Sequence, residues 1–146
     1  MTKVLIKRLS KTAIIPKYKT SGSSGMDISA NIDSVVKILP GKTSIIPTGF
    51  AVSIPNGYEI QIRPRSGLAA KNNLGVLNTP GTIDADYRGE IKVILINHGD
   101  QMFEVENGTR IAQMVISPVE QVELEEVENL DPTDRGKGGF GSTGTK

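Results

Sequence analysis

A polar segment near the middle of the chain, residues 78–90, carries the side chains best suited to chemistry. It reads Asn78-Thr79-Pro80-Gly81-Thr82-Ile83-Asp84-Ala85-Asp86-Tyr87-Arg88-Gly89-Glu90. Thr-Pro-Gly-Thr is a strong turn signal and predicts a hairpin between residues 76–78 and 82–84. On the rigid return strand, the Asp84 carboxylate could orient a water molecule and accept its proton as a general base. A polar hairpin with a structural aspartate is the alternative for this segment taken alone.

Residues 64–67 form a second polar cluster, Pro64-Arg65-Ser66-Gly67, ahead of good helix formers. With Ser66 as N-cap and Gly75 just past the end, the pattern predicts one short helix over residues 66–72. A helix N-terminus offers free N–H groups and a partial positive charge to an anion. Arg65 adds a guanidinium fork suited to phosphate, Ser66 adds a hydroxyl donor, and Gly67 lets a ligand approach the backbone. An ordinary capped helix with an exposed arginine fits these residues equally well.

The C-terminal region changes composition twice. Residues 120–131 are rich in glutamate, and we expect a solvated edge strand and linker there. The glycine-rich tail that follows contains Arg135-Gly136-Lys137-Gly138-Gly139-Phe140-Gly141-Ser142-Thr143-Gly144. Its backbone N–H groups, hydroxyls and charge can surround anionic oxygens, and its aromatic ring can stack on a planar base. In isolation, a disordered tail is the simpler interpretation.

Short strands are the elements that must position these clusters. Residues 58–63 alternate apolar and polar side chains, which indicates a half-buried strand. Residues 91–96 are apolar at nearly every position and predict a strand buried on both faces, and residues 110–116 predict another. Residues 44–46 and 50–52 predict two strands that flank a turn at 47–49. Frequent Pro and Gly turn signals between such short strands are typical of a sandwich or jelly roll.

Composition excludes several classes of protein. The 146 residues include no cysteine, which rules out disulfide scaffolds, thiolate metal sites and cysteine nucleophiles. Seventeen basic and sixteen acidic residues give a formal net charge of +1, so the chain lacks the basic footprint of a nucleic-acid binder. Residues 1–7 do not resemble a secretory signal, and Gly and Pro interrupt every stretch long enough to span a membrane. We therefore expect a cytoplasmic protein with no nucleic-acid or membrane partner.

Five segments, taken in order, resemble the five motifs of the trimeric deoxyuridine triphosphatase (dUTPase) family. The segments are Ser24-Gly25-Met26-Asp27-Ile28, Pro64-Arg65-Ser66-Gly67-Leu68-Ala69, residues 81–90, Gly108-Thr109-Arg110-Ile111-Ala112-Gln113-Met114, and residues 135–144. Each motif is weak to moderate by itself, but five in this order across the chain are highly specific.

The resemblance implies an all-β fold: a jelly-roll or β-clip, barrel-like sandwich with one short helix. It implies a jelly-roll catalytic domain over residues 1–131 and a flexible glycine-rich arm over 132–146 that closes an active site of the homotrimer. The implied activity is hydrolysis of dUTP to dUMP and pyrophosphate, with water attacking the α-phosphorus. The implied cofactor is Mg²⁺, held through substrate phosphates and water. The lack of a His, Asp and Glu cluster with metal-ligand spacing fits this expectation.

The resemblance also implies a role for individual residues, with each site built from three chains. Asp84 would hold and activate the water. Tyr87 would pack against deoxyribose and leave no space for a 2′-hydroxyl, while the base would be read by Asn78, Gly81, Thr82 and Ile83. The phosphates would be held from another chain by Arg65, Ser66, Gly67 and Gln113. From the third chain, Phe140 would cover the uracil ring and the γ-phosphate would be surrounded by Arg135, Ser142 and Thr143. Supporting roles are implied for Asp27 and Arg110.

Two other functions remain open at this point. A dCTP deaminase of the same fold would need a glutamate beside the pyrimidine, where the third motif has Asp84 and Tyr87. A catalytically inactive jelly roll that binds nucleotides would not need the aspartate or the complete tail.

Overall fold

The computed structural model describes residues 2–144, which form ten strands and one short helix. The strands are β1 (Leu5–Arg8), β2 (Met26–Ser29), β3 (Val36–Ile38), β4 (Thr43–Ser53), β5 (Tyr58–Arg63), β6 (Leu74–Val76), β7 (Gly81–Ile83), β8 (Glu90–Asn97), β9 (Phe103–Val105) and β10 (Arg110–Pro118). The helix, α1, spans Ser66–Asn72. No helix within residues 2–144 is long and apolar enough to cross a membrane.

The strands form two four-stranded sheets and one two-stranded ribbon. One sheet has the order β1-β4-β8-β6, the other has the order β2-β10-β5-β7, and β3 pairs with β9. All the pairs are antiparallel. A single apolar core lies between the sheets, and its largest fully buried side chains include Ile28, Ile46, Phe50, Ile60, Leu74, Ile91, Leu95 and Ile111. The predicted all-β jelly-roll sandwich with one short helix is confirmed.

Strand β5 confirms the alternation expected for residues 58–63. Ile60 and Ile62 are buried, whereas Glu59, Gln61 and Arg63, which alternate with them, are not, because successive side chains of a strand point to opposite faces of the sheet. Strand β8 differs from its prediction. Its inner face is buried, but Ile94 and Ile96 on the outer face are only half-buried, so this chain by itself covers one face of the strand.

Strand β4 replaces the two strands and turn predicted around residues 47–49. It continues from Thr43 to Ser53, with a shift in its register against β8 between Pro47 and Ala51. Gly49 has a φ of 74° at this bulge, a backbone conformation that glycine adopts without steric cost. Its N–H donates to the Glu90 carboxylate over 2.9 Å. The turn signal therefore marks a bulge within one strand.

Helix α1 has the predicted span, but other residues cap it. Arg65 occupies the N-cap position, with no side-chain hydrogen bond to the helix, so the predicted Ser66 N-cap is wrong. Asn73 ends the helix in the left-handed conformation, and its N–H donates to the carbonyl groups of Ala69 and Leu68. Asparagine tolerates this conformation, so the predicted stop at Gly75 is not needed, and Gly75 lies within β6.

The acidic segment contains no strand. Residues 120–131, all of which the structure describes, have no regular secondary structure and are exposed. The predicted exposed linker is confirmed, and the predicted edge strand is wrong.

Candidate active site

Asp84 directly follows β7, at the edge of the second sheet. Pairing between Ile83 and Ile60 anchors β7 to β5. Beyond it the chain turns: the Tyr87 N–H donates to the Asp84 carbonyl over 3.1 Å. The Arg88 guanidinium closes the turn by donating to the carbonyl groups of Ala85 (2.6 Å) and Tyr87 (2.9 Å). The structure thus holds an exposed carboxylate on a backbone that is fixed on both sides.

Residues 77–80 cross between the two sheets, and the predicted hairpin does not form. Strand β6 pairs with β8 and strand β7 pairs with β5, so the two segments expected to pair belong to different sheets. The Thr79–Pro80 peptide bond in this crossing is cis. Asn78 nevertheless lies against Gly81, since a Cβ built there would be 3.4 Å from the Asn78 amide nitrogen. Asn78 and Gly81, both predicted to bind the base, are therefore neighbours in the segment that connects the two sheets.

A small cleft of about 220 Å³ brings four of the predicted residues together. Its lining includes Asp84, Tyr87, Thr82 and Ile83, together with apolar and charged side chains of β4 and β8. The Tyr87 hydroxyl donates to the Glu90 carbonyl over 3.0 Å, which fixes the ring at the cleft. A carboxylate, an aromatic ring and strand backbone thus share one concave surface.

Asp27 joins two arginine side chains at the opposite edge of the same sheet. Its Oδ1 accepts from Arg65 Nε over 2.9 Å, and its Oδ2 accepts from Arg110 Nη1 over 3.1 Å. Arg65 also donates to the Arg110 carbonyl over 3.2 Å. The Asp27 and Arg65 side chains are 22% and 25% exposed, so one half-buried carboxylate holds two guanidinium groups together.

Gln113 connects this cluster to the start of α1. Its amide nitrogen donates to the Pro64 carbonyl over 3.0 Å, just before Arg65, Ser66 and Gly67. The amide oxygen occupies space left by Gly25, where a Cβ would lie 2.5 Å from that oxygen. Sequence reasoning assigned no such role to Gly25, since the contact joins β10 to residues far away in the chain.

The four predicted site residues of the C-terminal tail lie apart from both clusters. Phe140 is fully exposed, with a φ of 51°, and the Arg135 side chain donates to the nearby Gly138 carbonyl over 2.9 Å. The Ser142 N–H donates to the Gly139 carbonyl, and Thr143 is exposed. Within the described chain this segment therefore makes local turns and does not meet Asp84.

The strand register separates the two clusters of the sheet. Gln113 is opposite Arg63 on β5, whereas Ile83 is opposite Ile60, so Asp84 lies four positions further along and two strands across. With about 4.8 Å between strands and about 3.3 Å per residue, the Gln113 and Asp84 backbones are roughly 16 Å apart. Within residues 2–144, moreover, no three carboxylate or histidine side chains are grouped closely enough to hold a metal ion.

The protein is thus a jelly roll with two polar sites on its second sheet. The cleft that contains Asp84 lies at the β7 edge, and the cluster of Asp27, Arg65 and Arg110 lies at the β2 edge. The family model for dUTPase matches residues 11–144. A deoxyuridine 5′-triphosphate nucleotidohydrolase of Gloeothece citriformis is 57% identical over 142 residues, covering 97% of each chain. The chain belongs to the dUTPase family.

Solved structures agree with this assignment. The dUTPase of Staphylococcus bacteriophage 80alpha, solved with dUpNHpp, superimposes with a TM-score of 0.88 at 32% identity, over 99% of both chains. A mutant dUTPase from phage phi11 of S. aureus, described for its coordination of a structural Mg(II) ion, has a TM-score of 0.79 at 27% identity. That alignment covers 89% of this chain and 99% of the phage chain.

Proposed function

We propose that this protein hydrolyses dUTP to dUMP and pyrophosphate, which removes dUTP from the precursors of DNA and supplies dUMP. The observation that carries the proposal is the cleft shared by Asp84 and Tyr87, in a chain that matches the dUTPase family from residue 11 to 144. The dUpNHpp bound by the phage 80alpha relative supports the substrate class.

Asp84 is the proposed general base. The turn closed by Arg88 holds the backbone of Ala85 and Tyr87, so the exposed Asp84 carboxylate projects from a fixed main chain and is open to water. The carboxylate accepts a proton from water while the water oxygen bonds to the α-phosphorus. The bond from that phosphorus to the α–β bridging oxygen breaks, and pyrophosphate leaves. General-base help contributes about 10²- to 10⁴-fold, so positioning and charge stabilisation supply the rest.

The crossing between the sheets is proposed to select the nucleoside. Asn78 and the backbone of Gly81, Thr82 and Ile83 bind the uracil edge, and their close approach leaves no room for the methyl group of thymine. A site that donates to uracil O4 is mismatched by the amino group of cytosine, and unpaired buried polar groups discriminate by about 10⁴ or more. Tyr87 excludes a 2′-hydroxyl from the sugar.

The phosphates are proposed to be held by a second copy of the chain. Arg65, Ser66, Gly67 and Gln113 lie beside the Asp27–Arg110 cluster, and the roughly 16 Å between Gln113 and Asp84 favours a site completed between chains. Arginine forks suit phosphate oxygens. Asp27 and Arg110 support this cluster by fixing the direction of Arg65.

A homotrimer is the proposed assembly. Ile45 on β4 is 61% exposed and pairs with the half-buried Ile94 of β8. Both residues line the cleft with Asp84, so uncovered apolar surface lies on the outer face of this sheet at the proposed site. Leu124 and Leu130 in the acidic segment are also exposed. Such surface is typical of subunit contacts. Residues 1–131 are the proposed catalytic domain, and the arm over 132–146 closes a site with Arg135, Phe140, Ser142 and Thr143.

Mg²⁺ is proposed to enter as part of the substrate. The ion prefers oxygen ligands and commonly binds through substrate phosphates and water, which fits a site without a grouped set of metal-ligating side chains among residues 2–144. When bound, it neutralises charge on the triphosphate. The cytoplasmic location expected from the sequence stays a prediction.

One assay separates the proposed activity from its two alternatives. The protein is incubated with dUTP or dCTP and Mg²⁺, and release of pyrophosphate and ammonia is followed. We expect pyrophosphate from dUTP alone. Ammonia from dCTP would identify a deaminase, and release of neither product would favour the inactive nucleotide-binding protein.

A further inference from the structure

The ring of Tyr87 lies against the backbone of Gly89, two residues further along the chain. A Cβ built on Gly89 would overlap the Tyr87 hydroxyl and would lie 2.5 Å from Cζ and 3.0 Å from Cε2. The hydroxyl meanwhile donates to the carbonyl of Glu90, the first residue of β8. The ring is therefore seated on the chain that enters β8.

Backbone conformation does not explain a glycine at position 89. Seven glycines of the described chain have a positive φ, and Gly89 is not one of them. An alanine could adopt its backbone angles without the left-handed strain that applies at Gly49. An alanine at position 89 would, however, displace the Tyr87 ring. Glycine is therefore required at this position for the space it leaves to the ring, and not for its backbone conformation.

The ring lines the cleft that also contains Asp84. Carbon atoms pack best at about 3.5–4.0 Å, so a methyl group at position 89 would push the ring away by about 1 Å. Movement of an exposed side chain costs the fold little, but a 1 Å error in a positioning group can reduce catalysis by about 10²-fold. A methyl group at position 89 should thus have little effect on the stability of the fold but a large effect on the selectivity of the site.

We propose that Gly89 is a positioning residue for substrate selectivity: it seats the Tyr87 ring so that the cleft accepts 2′-deoxyribose and excludes ribose. The inference rests on the proposed function, in which Tyr87 faces the sugar. Gly89 acts only through Tyr87 and touches no substrate.

The test compares kcat/KM for dUTP and UTP in one preparation of each variant, so that the amount of folded enzyme cancels in the ratio. Gly89→Ala should reduce the dUTP:UTP ratio by at least about 10-fold, with little change in melting temperature. The matched control is Gly22→Ala, because a Cβ at Gly22 meets no heavy atom within 4 Å. The control should keep the ratio of the natural protein. An unchanged ratio in Gly89→Ala would overturn the proposal.

A double-mutant cycle tests whether Gly89 acts through the ring. Tyr87→Ala should reduce the ratio by itself, and adding Gly89→Ala should then change it by less than about twofold. A further large loss in the double variant would show that Gly89 acts independently and would refute the inference. An unchanged ratio in Tyr87→Ala would instead refute the sugar-facing role of Tyr87 in the proposed function, and the inference with it.

Discussion

At the scale of single residues, two carboxylates of the sheet have opposite surroundings. Asp84 is exposed in a turn held by backbone and Arg88 contacts, and within the described chain it forms no salt bridge. Asp27 is half-buried and paired with both Arg65 and Arg110. The first environment leaves oxygen atoms available to water, whereas the second uses them to hold two cations side by side. Substitution of the two aspartates by asparagine should therefore have different effects, on catalysis at Asp84 and on stability as well as activity at Asp27.

Asp84→Asn should reduce kcat for dUTP by at least about 10²-fold while dUTP binding stays largely intact, because the amide keeps the shape and loses proton acceptance. Steady-state pyrophosphate release gives kcat, and calorimetric titration with dUpNHpp gives affinity. Asp86 is an exposed neighbour in the same turn. The variant Asp86→Asn is therefore the matched control and should retain activity. Near-normal kcat in Asp84→Asn would disprove its role as the base.

Asp27→Asn should destabilise the fold as well as weaken activity. It leaves two guanidinium groups together without their partner, and a hydrogen bond to a charged group contributes about 1.5–3 kcal/mol. We expect the free energy of unfolding in urea to fall by about 1–2 kcal/mol and kcat/KM for dUTP to fall about 10-fold.

The exposed Asp33, which takes part in no ion pair of the described chain, supplies the control Asp33→Asn for that experiment. Equal stability of the two variants would show that the Asp27 pairs contribute nothing measurable to folding.

At the scale of elements, the chain after β10 is built differently from the chain before it. Strand β10 crosses the middle of the second sheet, paired with β2 on one side and β5 on the other. Within residues 120–144, all of which the structure describes, the hydrogen bonds join residues of that segment that are three positions apart. A segment with so few contacts to the core can change position at little cost to the fold.

Deletion of residues 135–146 should leave the melting temperature nearly unchanged and abolish most dUTP hydrolysis, because closure excludes water and completes the phosphate site. Phe140→Ala should be milder, with a loss of stacking worth roughly 1–3 kcal/mol in substrate binding. Thermal unfolding and pyrophosphate release measure the two effects. Full activity in the shortened protein would show that the arm takes no part in dUTP hydrolysis.

At the scale of the whole molecule, one chain places the residues of the proposed site at separate positions. Asp84 and Tyr87 share a cleft, Gln113 lies on β10, Arg65 lies at the N-cap of α1, and Phe140 is exposed to solvent. The apolar outer face of β4 and β8 gives a second copy a surface to cover. Both observations are consistent with sites formed between the subunits of a cyclic trimer.

Two variants that are inactive alone should therefore regain dUTP hydrolysis when their chains assemble into mixed trimers. Asp84→Asn chains keep the arm, and chains without residues 135–146 keep Asp84. In trimers assembled at random from an equimolar mixture, roughly a quarter of sites receive both intact parts, one half multiplied by one half. Pyrophosphate release from the co-refolded mixture is compared with that from each variant refolded alone.

Recovery near a quarter of the natural activity supports the shared site. No recovery, with subunit exchange confirmed by native mass measurement, would contradict it, since parts supplied by the same chain leave every site incomplete.

The sequence by itself determined the short helix over residues 66–72, the alternating strand at 58–63 and the order of five family motifs. These features are local: side-chain period, helix formers and motif residues depend on near neighbours in the chain. Tertiary structure decided that β7 pairs with β5 instead of β6, that Asp27 joins Arg65 to Arg110, and that Gly25 makes room for Gln113. Local turn signals could not choose a strand's partner, because pairing depends on how apolar faces from distant parts of the chain bury one another.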